Sequence, residues 1–235
     1  MARIVEMLAA EIPHEGRCLE IGIGTGRFAL PLVRAGLSIV GVDISREMLR
    51  RLVINAGGSP PPIAVADATR LPFRDRTFTS AIAAHVLHLI PSWTIAVDEL
   101  LRVLLPGGVL VASRGGRHTT GWQRMVNRHF FVEAGDPPWP PGVDRIEELD
   151  EHLQSRGAAV RARPELSSEG SSSISELLDN LQAGRWSGCW SLDEPARRRA
   201  AASTRKWAKA EIGDLDVPRP SAGSSVWHAY VVPGG

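Results

Sequence analysis

The sequence predicts an α/β fold: a doubly wound, mostly parallel, seven-stranded sheet with C-terminal lid insertions. Three observations predict it. Through about residue 114, short β-branched runs alternate with helical periods, the rhythm of successive βαβ units. A glycine cluster, Gly22-Ile-Gly24-Thr-Gly26, follows the first such run and opens a helix. The 235-residue length suits one large domain. We read residues 1–115 as a cofactor-binding core, and residues 116–235 as the remaining strands plus substrate-side lid segments.

Taken in order, Ile4, Val5, Leu8 and Ile12 mark a helix over 4–12, ended by Pro13. Arg17–Ile21 is a strand, and the helix after the glycines shows Phe28, Leu32 and Ala35 on one face before Gly36 closes it. Ser38–Val42 is the second strand. Ser45 caps a helix whose apolar face is Met48, Leu49, Leu52 and Val53. The Ser59–Pro62 segment is a stiff connector into strands at Ile63–Ala66 and then Thr79–Ala84. Ser92 caps a helix with Trp93, Ala96, Val97, Leu100 and Leu104 at helical spacing, and the Pro106-Gly-Gly turn leads to a fifth strand, Val109–Ser113. Residues 115–141, rich in Gly, Trp and Pro, read as a loop or short-helix insertion. A helix over 142–156, a strand near Val160–Leu166, a Ser-rich loop, helices near 173–183 and 193–211, and a strand at Val226–Val232 complete the chain.

Composition narrows the function. Lys plus Arg number 27 against 26 Asp plus Glu, a net charge of +1. Nucleic acid and anionic membrane are therefore not expected partners, since both favour a clear basic excess. Cys18 and Cys189 are too few for a disulfide framework and lack metal-ligand spacing, so no metal is expected. The opening residues carry regular charges and no apolar signal core, and no run is long enough to cross a bilayer. These features read as a cytoplasmic protein, monomer or homodimer.

Glycines at a strand–helix junction let backbone pass close to a ligand, and the helix N-terminus offers free N–H groups to an anion. Asp43 ends the next strand, where a carboxylate can accept both hydroxyls of a ribose. Two cofactor classes share this layout. A dinucleotide site wants a third glycine three positions past Gly24, where Arg27 stands. Glu20, two positions before the first glycine, suits a ligand with a positive α-amino group and would repel a pyrophosphate.

Four blocks then resemble one family in order and separation: Leu19–Arg27 (LEIGIGTGR), Gly41–Ser45 (GVDIS), Ala66–Ile90 (ADATRLPFRDRTFTSAIAAHVLHLI) and Asp98–Gly115 (DELLRVLLPGGVLVASRG). The chain resembles the class I S-adenosylmethionine-dependent methyltransferases, and within them the small-molecule group similar to the ubiquinone-biosynthesis methyltransferases. The resemblance implies a Rossmann-like fold and S-adenosyl-L-methionine as methyl donor, with S-adenosyl-L-homocysteine as product. It implies that Glu20 and the backbone of Gly22, Ile23, Gly24 and Gly26 hold the methionine end, and that Asp43 holds the ribose. Ile44 and Met48 would pack near the adenine, Asp67 and the Ala68 backbone would receive its amino group, and His85 would offer its backbone carbonyl. Relatives commonly carry more chain before the first strand than the 16 residues present here.

The acceptor is less legible. Displacement at a sulfonium depends mainly on alignment. An acceptor that must lose a proton would need a base, for which His85, His88, His118 and His129 are weak candidates with no assignment among them. Trp122, Trp139, Trp186 and Trp190 suggest a pocket for an apolar or aromatic small molecule. Asp136-Pro-Pro-Trp139 matches a motif of base-methylating enzymes but falls after the wrong strand, so a Pro-rich turn is expected. The Arg197–Arg199 run with Arg205, Lys206 and Lys209 reads as a solvated helix face. The competing readings are a nicotinamide-dependent oxidoreductase and a catalytically inactive donor-binding protein.

Overall fold

The computed structural model describes the backbone of residues 2–118, 120–162 and 165–234, and their side chains except those of 114–118 and 162. The elements are α1 (Ala2–Glu11), β1 (Cys18–Ile21), α2 (Ala29–Arg34), β2 (Ile39–Asp43), α3 (Arg46–Asn55), β3 (Ile63–Val65), β4 (Phe78–Ala84), α4 (Trp93–Val103) and β5 (Leu104–His118). They continue with α5 (Gly121–Glu133), α6 (Ile146–Ser155), β6 (Ala159–Ala162), β7 (Leu166–Ser172), α7 (Ile174–Gln182), α8 (Glu194–Glu211) and β8 (Arg219–Val231).

One eight-stranded sheet runs in the order β3-β2-β1-β4-β5-β8-β6, with β7 paired to β8. The pairs β1–β2, β2–β3, β1–β4 and β4–β5 are parallel, and β6–β8 is antiparallel. The order reverses between β1 and β4, the switch point where ligands sit in open α/β sheets.

The chain divides into two compact units. The first comprises residues 1–115, 142–166 and 226–235. Its central strands are buried on both faces, as a parallel sheet covered by helices requires. Leu19 and Ile21 of β1 join Val97 and Leu100 of α4 and Leu149 and Leu153 of α6 in one apolar layer. The alternating positions Cys18, Ile39 and Ile82 face the other way, against Leu8 of α1, Leu32 of α2 and Leu52 of α3. The second unit comprises residues 116–141 and 167–225. Its core joins Val126 and Phe130 of α5, Leu177, Leu178 and Leu181 of α7, and Ala200, Ala201 and Ala208 of α8.

Several elements depart from the sequence expectation. Val53 is 40% exposed and leaves the apolar face of α3 to Leu49 and Leu52. Leu104 starts β5 instead of ending the helix, since α4 closes at Val103. Ser45 caps α3 by accepting from the Met48 N–H, whereas the Ser92 side chain makes no capping bond. The insertion holds a 13-residue helix, α5. The Ser-rich stretch is β7, an eighth strand, because a neighbouring strand outweighs poor β propensity: its Ser168 and Ser171 hydroxyls donate to the Gly223 and Arg219 carbonyls. Nor is the basic run wholly solvated. Arg197 donates to the Gln182 and Leu192 carbonyls, and Arg205 reaches Asp179 at 2.5 Å and Gln182 at 2.9 Å. Both bind α7 to the α8 region.

Candidate functional site

The candidate site is assembled at the carboxyl ends of β1 to β4, all within the first unit. β1 ends at Ile21, and the turn Gly22–Gly26 carries the chain to α2. Gly26 adopts φ +81°, and a Cβ there would lie 2.7 Å from the Leu30 Cγ, so only glycine fits both the angle and the packing. Gly24 differs: with φ +55°, the nearest atom to an added Cβ is the Gly22 carbonyl oxygen at 3.8 Å. The space beside Gly24 is open.

Asp43, at the end of β2, organises this turn. Its Oδ2 accepts from the Gly24 N–H at 2.9 Å and its Oδ1 from the Ser45 N–H at 2.8 Å. Each carboxylate oxygen keeps a second lone pair for a ligand hydroxyl. Ile44, next in the chain, is 73% exposed, while Met48 is half-buried. β3 pairs in register with β2, Val65 opposite Asp43, so Asp67 stands just past the end of β3. Asp67 is exposed, and its Oδ1 accepts from both the Thr69 N–H and hydroxyl at 2.8 Å. Those bonds hold its carboxyl below the usual carboxylate range. Ala68 packs against the adjoining apolar layer.

Glu20 is the unusual group. It lies on β1 with Gly41 and Ile82 as strand partners and is only 2% exposed. Among the described residues, nothing hydrogen-bonds its buried Oε2. Burial, and then the nearby negative charge of Asp43, pushes its carboxyl up to about 8. A buried acid with one oxygen unpartnered, beside a glycine turn, is a group that a ligand cation can satisfy.

His85 follows β4 with φ +56°, and its N–H donates to the Ser113 carbonyl at 3.0 Å. Its ring lies 5.8 Å from both Phe28 and Trp227, and its buried Nε2 has no partner among the described residues. Burial, with the Arg27 and His88 charges, lowers its pKa to about 4, so the imidazole is neutral at physiological pH and a weak base. Phe28 and Trp227 were not legible as site neighbours: one reads as helix core, the other lies 199 residues away on the last strand.

The remaining candidates are dispersed. His88 lies one turn past β4, and its carbonyl accepts from the Gly142 N–H. His129, in the second unit, stacks on Trp207 at 4.2 Å and contacts Thr204 at 3.2 Å, which occupies it structurally. The His118 side chain lies outside the described residues. The four tryptophans all lie in the second unit. Trp122 donates to the Pro220 carbonyl, and Trp190, 54% exposed, to that of Gly184. Trp139 is 73% exposed and tilts against Phe131. Trp186 lines a cleft of about 570 Å³ with Gln123 and Leu177. The Asp136–Trp139 segment follows α5 as irregular chain. Among the described residues no group of three His, Cys, Asp or Glu side chains could hold a metal ion, and no helix is long and apolar enough to cross a membrane.

A family model described as a methyltransferase domain matches residues 19–112, the span from β1 to β5. A demethylmenaquinone methyltransferase from Streptomyces avermitilis is 28% identical over 172 residues, covering 73% of this chain and 68% of that protein. A second one, from Renibacterium salmoninarum, is 32% identical over 133 residues, 56% of this chain and about half (54%) of its relative. The crystal structure of the YcgJ protein from Bacillus subtilis superposes over 100% of both chains with a TM-score of 0.68 at 17% identity, a likeness of fold. With the glycine turn, its buried acid and the strand-end carboxylate in place, the chain is similar over residues 19–112 to a methyltransferase domain, and over a longer span to the demethylmenaquinone methyltransferases.

Proposed function

We propose that the protein transfers a methyl group from S-adenosylmethionine to a small apolar or aromatic acceptor, and that the first unit's strand ends hold the donor as follows. Glu20 receives the α-ammonium group and the Gly22–Gly26 backbone lies against the methionine end. Asp43 accepts the ribose hydroxyls, Ile44 and Met48 cover the adenine, and Asp67 accepts from its amino group. The observation that carries this reading is the buried, unpartnered Glu20 oxygen under a turn that is open only at Gly24. A nucleoside carrying an amino acid satisfies both features, while a dinucleotide pyrophosphate would meet the Glu20 carboxyl instead of a cation.

When bound, the donor would supply a methyl group on a sulfonium sulfur: an acceptor lone pair would bond to the methyl carbon as the carbon–sulfur bond breaks, its electrons leaving on the S-adenosylhomocysteine thioether. The chain's own contribution is alignment, for which effective-molarity comparisons allow about 7–11 kcal/mol. Its strand ends fix the donor's amino, ribose and adenine groups on one rigid sheet, so the reacting bond has a set direction. With His85 too weak a base and His129 stacked on Trp207, neither of these two supplies a base, and the reading is an acceptor that is already ionised, such as a phenolate or a stabilised carbanion. Two relatives are named for demethylmenaquinone as the compound methylated.

Calorimetry tests the donor. S-Adenosylhomocysteine is expected to bind and NADH not to, and Asp43→Ala is expected to weaken binding at least tenfold, about 1.4 kcal/mol. Binding of NADH in its place would overturn the reading in favour of an oxidoreductase. Incubation with labelled donor and a panel of quinols and phenols is expected to yield S-adenosylhomocysteine and a labelled product. A chain that binds donor and turns over no acceptor would be a binding protein.

A further inference from the structure

Glu20 offers more than a contact. It sits where β1 is flanked by β2 and β4, and neither flank supplies a cation. Gly41, its partner on β2, has no side chain, and Ile23 fills the space where one would stand. Ile82, its partner on β4, is apolar and fully buried. Two residues back on the same strand is the Cys18 thiol, which burial keeps protonated. The charge acting on Glu20 is the like charge of Asp43. Among the described residues nothing supplies a counter-charge to a carboxylate so placed, and an isolated buried charge is replaced by its neutral form.

We propose that Glu20 is a neutral carboxylic acid in the free protein, and that it gives up its proton to solvent when a ligand's α-ammonium group binds, so that donor binding is coupled to release of one proton. The inference rests on the donor reading above and deepens it. The balance is simple: the Glu20 O–H bond breaks, the proton passes to the buffer, and the carboxylate pairs with an ammonium that keeps its own protons. The exchange makes Glu20 a specificity-determining residue. A nucleoside without the amino acid gains nothing from ionising it, whereas an ammonium-bearing ligand gains an ion pair at a buried site. With a free-state pKa of about 8, nearly all of the acid is protonated at pH 6 and about nine-tenths at pH 7. The apparent affinity for an ammonium-bearing ligand therefore rises about ninefold over that unit. Neither His85, near 4, nor Cys18, near 12, titrates in this window.

The test is calorimetry of the full chain with S-adenosylhomocysteine, at pH 6 and pH 7, in two buffers of different ionisation enthalpy. Wild type is expected to release close to one proton at pH 7 and to bind about ninefold tighter than at pH 6. 5′-Methylthioadenosine, the same thioether nucleoside without the amino acid, is expected to release none and to bind equally at both values. Glu20→Gln is expected to abolish the release and flatten the pH dependence. Binding of S-adenosylhomocysteine with no buffer-dependent heat in wild type, or release that survives Glu20→Gln, would overturn the coupling while leaving the donor reading intact. Failure of wild type to bind S-adenosylhomocysteine at either pH would overturn both.

Discussion

At the scale of single residues, two acids on consecutive strands behave differently because of what surrounds them. Asp43 is satisfied by two backbone N–H groups and serves the fold before any ligand arrives. Glu20 has no such donors at its Oε2 and is held as an acid. That contrast has a consequence for stability. The native state keeps the Glu20 proton up to about pH 8, whereas an unfolded chain loses it near 4.5. Between those values the folded form binds more protons, so its stability falls as pH rises, and levels off above the folded value. Thermal melts of the ligand-free protein are expected to show this fall, on the order of one to a few kcal/mol between pH 5 and pH 8. Glu20→Gln should be more stable than wild type at pH 8, with the gap closing toward pH 5. A wild-type curve that rises over this range by the amount Glu20→Gln shows would refute the assignment.

At the scale of elements, sequence pattern located most of the first unit and the helices α7 and α8 of the second, and it missed β7. The strands β1, β2 and β4 and helices α1 to α4 announce themselves because each buries an apolar run or stripe whose spacing is set by its own backbone. β7 does not. Its residues are hydroxyls, a glutamate and a glycine, and β8 makes them a strand by supplying hydrogen bonds that no local pattern encodes. α7 is a case of strong local signal. Ser173 accepts from the Glu176 N–H while Glu176 reaches back to the Ser173 N–H at 2.9 Å, a closed capping box. Ser173→Ala is expected to lower the unfolding free energy by about 1 kcal/mol, read from denaturant melts. An unchanged midpoint would show that Arg197 and the apolar face of α7 suffice to start and hold the helix.

At the scale of the whole molecule, the first unit is drawn from three separate stretches of chain, and polar contacts join the late ones. Asp150 of α6 accepts from Tyr230 and His228 of β8, each at 2.8 Å on the same oxygen. Tyr230 is fully buried, so its hydroxyl depends on that one carboxylate. Tyr230→Phe is expected to cost about 1–2 kcal/mol of global stability without altering S-adenosylhomocysteine binding. A loss of donor affinity at unchanged stability would instead implicate β8 in the site. Trp227, on the same strand, packs edge-on against Phe28 and beside His85, so the last strand does line the end of β4.

The linear order of residues was enough to specify the alternation of strands and helices to residue 113, the glycine turn, and the placing of Glu20 and Asp43 on either side of it. Those features are local or follow from one βαβ unit, where neighbours in sequence are neighbours in space. Tertiary structure decided the rest: that the Glu20 oxygen is buried without a partner, that Trp227 and Phe28 frame His85, that the Ser-rich stretch is a strand, and that Arg197 and Arg205 tie two helices. Each depends on contacts between segments tens to hundreds of residues apart, and desolvation and hydrogen bonding act on distance in space, to which sequence spacing is blind.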